Sequence, residues 1–378
     1  MLGVNLSVLA GPTIPLPLPA PFAAKVKSVT VTENDRERSA FTITLDAGRS
    51  GPAAALDSPV MMGCPIAVNA RVVVILTVGA VPQILMDGIV TEIELVPGEG
   101  PGTALMRATG QDVSLFLDRH ERDAEHVGLE DSLQVRKILA PYMARGILAQ
   151  VIPPPTMDPP LPIQRTPTQQ ATDLTHVSRL AAWHGHVAYM TPGPMPGTST
   201  FYWGPPVRVG LPQPALSVDL GPNSNVTGTP TFRQDVLVPQ LVEGSVADPL
   251  LGETIPVRTV ASLRPPLAAM PAWLVNAGNI RTRRLRETGV AATTAFARAQ
   301  ASTDSSIDCV VGEGELDGGR YGAVLRPRGL VGMRGAGWSH DGLWYVKQVE
   351  HTVRRGSYTQ RFTITRDGYG STVPAVRV

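Results

Sequence analysis

Cysteine, charge and long apolar runs are all scarce in this sequence of 378 residues. The two cysteines, Cys64 and Cys309, have no CxxC partner, which excludes a disulfide framework and a zinc knuckle and leaves them as small buried hydrophobes. Only 17% of the residues are charged where about 25% is usual, and 33 Lys and Arg against 32 Asp and Glu leave a formal charge of +1. No global field draws such a chain to nucleic acid or an anionic membrane, and no sequence-specific nucleic-acid binding is expected. The basic run RTRRLR at 281–286 reads more readily as a solvated helix flank or a subunit interface than as a phosphate contact. The longest apolar run, Val72 to Val81, is about half of what a helix needs to cross a bilayer, so it reads as one or two buried strands. The N-terminus has no positive charge before Lys25 and carries five prolines between Pro12 and Pro21, unlike a signal peptide. A protein with no membrane anchor, assembled in the cytoplasm, is expected.

Catalytic signatures are missing as well. HExxH, GxSxG and GxxxxGK[ST] do not occur, and the glycine-rich stretches at 312–314 and 332–337 lack GxGxxG spacing before a helix, so they read as turns. His184 and His186 have no third ligand nearby, and His120 and His126, with Glu121, Asp123 and Glu125 between them, read as a solvated charged segment. The carboxylates sit in turns or point outward from strands. No catalytic residue, cofactor or metal site is expected, and the chain is not read as an enzyme.

What is abundant is Gly and Pro, 37 and 36 residues, nearly one in five against roughly 12% in an average protein. With 43% hydrophobic residues, that excess excludes a helical bundle and calls for many short strands joined by turns. Period-two alternation supports a small antiparallel sheet or barrel over 25–112: Phe41, Ile43 and Leu45 share one face, and Ile89, Thr91, Ile93 and Leu95 oppose Val90, Glu92 and Glu94. Helical spacing follows from Asp131, with Leu133, Ile138, Leu139 and Tyr142 apolar and Gly146 able to cap. A proline-rich connector covers 153–167. Thr168 or Thr172 can cap a second helix bearing Leu174, Val177, Leu180 and Ala181. A stretch of helical composition spans 289–302, and the remainder to 368 is again β.

The sequence also matches itself. VKSVTVTENDRERSAFTITLDAG at 26–48 resembles VKQVEHTVRRGSYTQRFTITRDG at 346–368, and more weakly DGIVTEIE at 87–94 resembles DGLWYVKQVE at 341–350. Phe-Thr-Ile-Thr suits any strand, so the match stands either for chance or for one β unit present twice, as a pair of similar barrels.

In order, the N-terminal hairpin, DGIVTEIE with RATGQDVSLFLD, the helix ending ILAPYM, TPTQQATDLTHVSRLAAWHGHVAYM leading to FYWGPP, and the strand RFTITRDGYGSTVP resemble the baseplate hub family of contractile tails. That family comprises the late control protein D proteins of phages and the hub part of valine-glycine repeat spike proteins. The resemblance implies an α+β fold, predominantly antiparallel β, with two related tube-type β-barrels and smaller mixed α/β inserted domains. The expected division is a first barrel at 1–113, a mixed domain at 114–205, a second barrel at 206–240 and 305–370, an inserted domain with a helix at 241–304, and a tail at 371–378.

It further implies a homotrimer whose six barrels adapt a sixfold inner tube protein to a threefold spike and line the channel. The end at Val378 implies a separate spike protein, and other baseplate components are further partners. The site of action would be the baseplate of a virion tail or injection particle. The hairpin tips Asn34, Asp35, Arg36, Glu37, Arg38, Arg354 and Arg355 are candidate ring-contact or lumen residues. An alternative is a two-barrel carbohydrate-binding tail component, for which Tyr202, Trp203, Trp338 and Trp344 would supply exposed rings.

Overall fold

The computed structural model describes residues 3–49, 58–98, 100, 103–156, 166–248 and 252–372. It is α+β and mostly antiparallel: two related β-barrels joined in one 13-stranded sheet, with smaller mixed domains inserted. In the first barrel the strands lie in the order Val26–Asn34, Ala40–Asp46, Ala104–Asp112, Val81–Pro97, Arg71–Val78. The second repeats that order with Val226–Gln234, Val310–Asp317, Ser357–Arg366, Gly342–Arg354, Leu330–Arg334. Even the bulges coincide, since Thr91 is the extra residue in one long strand and Lys347 in the other. A sixth strand differs in direction: Val4–Gly11 runs antiparallel to its neighbour, Gln213–Ser217 parallel.

Each barrel curls around its own core. Phe41, Ile43, Val74 and Leu76 fill the first, and Trp344, Val349, Phe362 and Ile364 fill the second, all within 1% of complete burial. The strand Val4–Gly11 precedes the prolines at 12–21 and lies outside the stretch 25–112 over which the alternation was read; its alternating Val4, Leu6 and Val8 pair across to the apolar strand Arg71–Val78.

The principal self-match joins hairpins that are not structural equivalents. In the sheet order given above, residues 26–48 form the first two strands of barrel one, whereas 346–368 form the third and fourth of barrel two. The weaker echo falls on the equivalent long strands, Val81–Pro97 and Gly342–Arg354. The stronger match arises because both hairpins meet the same demand, an apolar face inward and threonines outward. Those two hairpins are neighbours, pairing antiparallel from Ser28 opposite Arg354 to Asn34 opposite Gln348.

Between the barrels, the helices Asp131–Leu139 and Asp173–Trp183 pack on a three-stranded sheet of Val187–Pro192, Ser199–Gly204 and Ile147–Val151. Pro141 turns the first helix into a 3₁₀ segment, and Gly146 ends it with φ 79°. Leu133 lies on its exposed side, and Val135 takes the buried place. Thr172 caps the second helix, accepting from the Thr175 N–H. The remaining insertion packs the helix Ala292–Ser305 against Gln240–Ala247 and Thr254–Arg258. Arg281–Arg284 is a short exposed edge strand there, parallel to Gln240–Glu243, and not a helix flank. Of the connector at 153–167, positions 157–165 lie outside the described residues, as do 373–378 of the tail.

Candidate functional site at the joint between the barrels

The strand pairing that fuses the two sheets is held from below by buried charge. Glu33, 3% exposed, accepts from Arg326 Nη1 at 3.1 Å and lies 3.4 Å from Nε2 of His351, which is fully buried. Both face inward because they occupy the core side of alternating strands, as Val29, Val31, Val349 and Val353 do. Arg326 comes from the loop before Leu330–Arg334 and also donates to the carbonyl of Ile84, so one guanidinium ties barrel two to two strands of barrel one. Burial alone would raise the Glu33 pKa, but Arg326, with His351 and Arg328, outweighs it and holds the carboxyl at about 2. Burial lowers the pKa of His351 and Glu33 opposes that shift, while His351 Nδ1 lies 3.0 Å from the Tyr358 hydroxyl.

Two residues further on, Arg328 binds three parts of the molecule together. It donates to the Asn34 carbonyl through Nε at 2.9 Å and through Nη2, and to the Met190 carbonyl at 3.1 Å through Nη1. Its guanidinium carbon lies 3.9 Å over the Tyr189 ring. Its own backbone is left-handed at φ 68°, costly for a side-chain residue and held by the Arg328 N–H bond to Val346 O at 2.8 Å. Barrel one is fastened to the mixed domain a second time by Arg71, which forks onto Asp87 at 2.7 and 2.8 Å and donates to the Gly197 carbonyl.

The hairpin tips sit at opposite ends of this joint. Asn34 is gripped by Arg328, and Asp35 is buried, with its pKa raised by desolvation and Arg36 opposing. Arg38 forms an ion pair with Asp118 and donates to Gln111 Oε1 at 2.9 Å. Arg36 and Glu37 remain exposed, as do Arg354 and Arg355, the latter also donating to the Ala24 carbonyl. A cleft of about 550 Å³ opens beside Arg354 and Arg355, lined by Val4, Leu6, Val26 and Tyr358.

Of the rings considered for carbohydrate, Trp203 and Trp344 are fully buried and Tyr202 nearly so; Trp338, 57% exposed, is left. Trp203 and Trp344 donate to the carbonyls of Val177 and His340, and the Tyr202 hydroxyl to that of Pro205. The carbohydrate alternative therefore loses three of its four rings to packing. His184 follows the second helix and lies 2.8 Å from Asp131, while His186 turns its ring to Trp203. Among the described residues no three His, Cys, Asp or Glu side chains gather as metal ligands, and no helix is long and apolar enough to cross a membrane.

Sequence reasoning missed Glu33, His351, Arg326 and Arg328. A histidine on the apolar face of VEHTV was a visible signal; nothing marked its partner.

No family model matches the sequence, and no characterised protein matches it by sequence. Solved structures do match the fold. A tail protein of Neisseria meningitidis MC58 is 13% identical, with 97% of each chain covered and a TM-score of 0.64. The 43 kDa tail protein of prophage MuSo2 from Shewanella oneidensis is 13% identical over 97% of this chain and 99% of its own, with a TM-score of 0.65. An Escherichia coli protein, c3393, is a component of the type VI secretion system with structural similarity to the T4 tail proteins gp27 and gp5; it is 12% identical over 98% of this chain and 79% of its own, with a TM-score of 0.55. The chain has the fold of these phage-tail and secretion-system proteins, in keeping with the hub resemblance read from the sequence.

Proposed function

We propose that this chain is a structural, non-catalytic hub of a contractile tail or a related injection particle. It is read as a homotrimer that joins a sixfold inner tube to a threefold spike and lines the channel between them. The observation that carries the reading is the doubled barrel, with one strand order present twice in a single sheet. Three such chains offer six alike surfaces to a tube while keeping threefold symmetry for a spike. The tail origin of the matched folds supports the same reading, as does a chain of low net charge. Assembly in the bacterial cytoplasm and incorporation into the baseplate belong to it. Arg36, Glu37, Arg354 and Arg355 are the exposed tip residues, placed to meet a neighbour or the lumen.

The test is to express the chain with the tube and spike proteins of its own tail and record native mass spectra and axial electron-microscope views. A three-chain ring with a central channel is expected. A strictly monomeric chain in the presence of both proteins would sink the reading.

A further inference from the structure

The ladders of the two barrels can be matched residue by residue through their bulges. Setting Thr91 against Lys347 equates Glu92–Val96 with Gln348–Thr352. Following the cross-strand partners equates Ala40–Asp46 with Val311–Asp317, so that Leu45 and Asp46 fall on Leu316 and Asp317. One strand further, Thr30–Glu33 falls on Thr231–Gln234.

The match exposes an asymmetry. Within the chain, Thr30–Glu33 of barrel one is covered by Val349–Thr352 of barrel two. Its equivalent, Thr231–Gln234, ends the sheet and pairs only with Val310–Asp317. Conversely, the equivalent of the covered segment Gln348–Thr352 is Glu92–Val96, which pairs only with Ala104–Asp112. One half of the joint is thus repeated, unfilled, on each barrel. The side chains register the missing neighbour: Val349, His351 and Val31 are fully buried, whereas Ile93 and Phe232 are only partly so and Leu95 is 44% exposed. Open strand edges bearing apolar side chains are templates for a further strand.

We propose that a second copy of this chain fills them, with Thr231–Gln234 of one copy pairing antiparallel to Ile93–Val96 of the next and repeating between chains the joint that exists within one. In the register carried over, Phe232 lies opposite Leu95 and Arg233 opposite Glu94. The charges agree: Arg233 is exposed with no ion-pair partner among the described residues, and Glu94 meets Arg107 at the surface. Pro230 falls opposite Pro97, and since neither has an N–H the ladder stops there. The two edges differ, so the contact is head-to-tail and closes as a ring in which inner and inter-chain joints alternate. The three-chain size of that ring rests on the hub reading above.

The experiment introduces Glu94→Cys and Arg233→Cys into one chain, co-expressed with tube and spike proteins and oxidised. Covalent dimers and trimers, and nothing larger, are expected on a non-reducing gel, at least tenfold above the yield from Arg233→Cys with Val81→Cys at the far end of the same long strand. Separately, Glu94→Arg or Arg233→Glu alone should lower the trimer fraction about tenfold, and the two together should restore it. A native trimer without the 94–233 cross-link, equal yield from the control pair, or cross-linking only to tube or spike overturns the strand pairing and leaves the hub reading standing. A chain that stays monomeric overturns both.

Discussion

Glu33 keeps its charge at a depth where carboxylates are usually neutral, because Arg326 and His351 reach it from the other barrel. Arg326→Met should therefore lower stability by about 2 kcal/mol in urea unfolding, somewhat less than the roughly 3–5 typical of a fully buried pair because the Arg326 side chain is 30% exposed. With a folded pKa of about 2 against 4.5, the Glu33 contribution is complete above pH 4.5 and is lost as pH falls toward 2. A different acid response belongs to the mixed domain. Burial, with Arg179 and His126 close by, holds His176 at about 4, and burial beside His184 and Arg264 does the same to His186. The unfolded chain takes up these protons near pH 6.5 and the folded chain only near pH 4, so stability is full above 6.5 and declines between the two. Melting temperatures recorded across that window should fall with acid, and His186→Phe should flatten the decline; an unchanged slope would remove His186 from the account.

Strands explain why the duplication was visible in the sequence yet misplaced. Phe41 lies opposite Gly110 in barrel one, while the equivalent pair in barrel two is Gly312 opposite Ile364, so large and small change sides at the same place in the ladder. Such exchanges preserve volume and erase identity. The alternation of Phe41, Ile43 and Leu45, the Thr172 cap and the Gly146 stop were legible because their causes are local. Register and pairing partner were not, since period two says which face is buried and nothing about which strand lies alongside. Leu133 misled for a related reason: helical spacing marks a face, but Val135 and Ile138, not Leu133, meet the neighbouring sheet. The Phe41–Gly110 contact also gives a test. A Cβ on Gly110 would sit 2.3 Å from the Ile89 carbonyl oxygen and 2.4 Å from the Phe41 ring, so Gly110→Ala should destabilise by at least about 2 kcal/mol in urea unfolding. Phe41→Leu should not rescue it, because the carbonyl cannot retreat.

Over the whole molecule, the joint was the least legible feature. Arg326 and Glu33 are 293 positions apart, and no motif links a loop arginine to a glutamate on a strand so distant. The candidate tips were found by sequence as turns; that the Asn34 carbonyl is gripped by Arg328, that Asp35 is buried and that Arg38 is paired with Asp118 follows only from what packs beside them. If Arg354 and Arg355 meet the lumen or a neighbour, reversing both to Glu should leave melting of the isolated chain nearly unchanged while lowering the yield of assembled particles at least tenfold, as counted by electron microscopy. Intact assembly would withdraw them. The continuous sheet has one more consequence, for errors of assembly. A ring grown from single barrels can gain or lose one unit and close with five or seven. If the chain assembles as the hub proposed above, its two barrels on one backbone are added only in twos, so every ring would have even parity, and the nearest miscounts, four and eight, would be far harder to mistake for six.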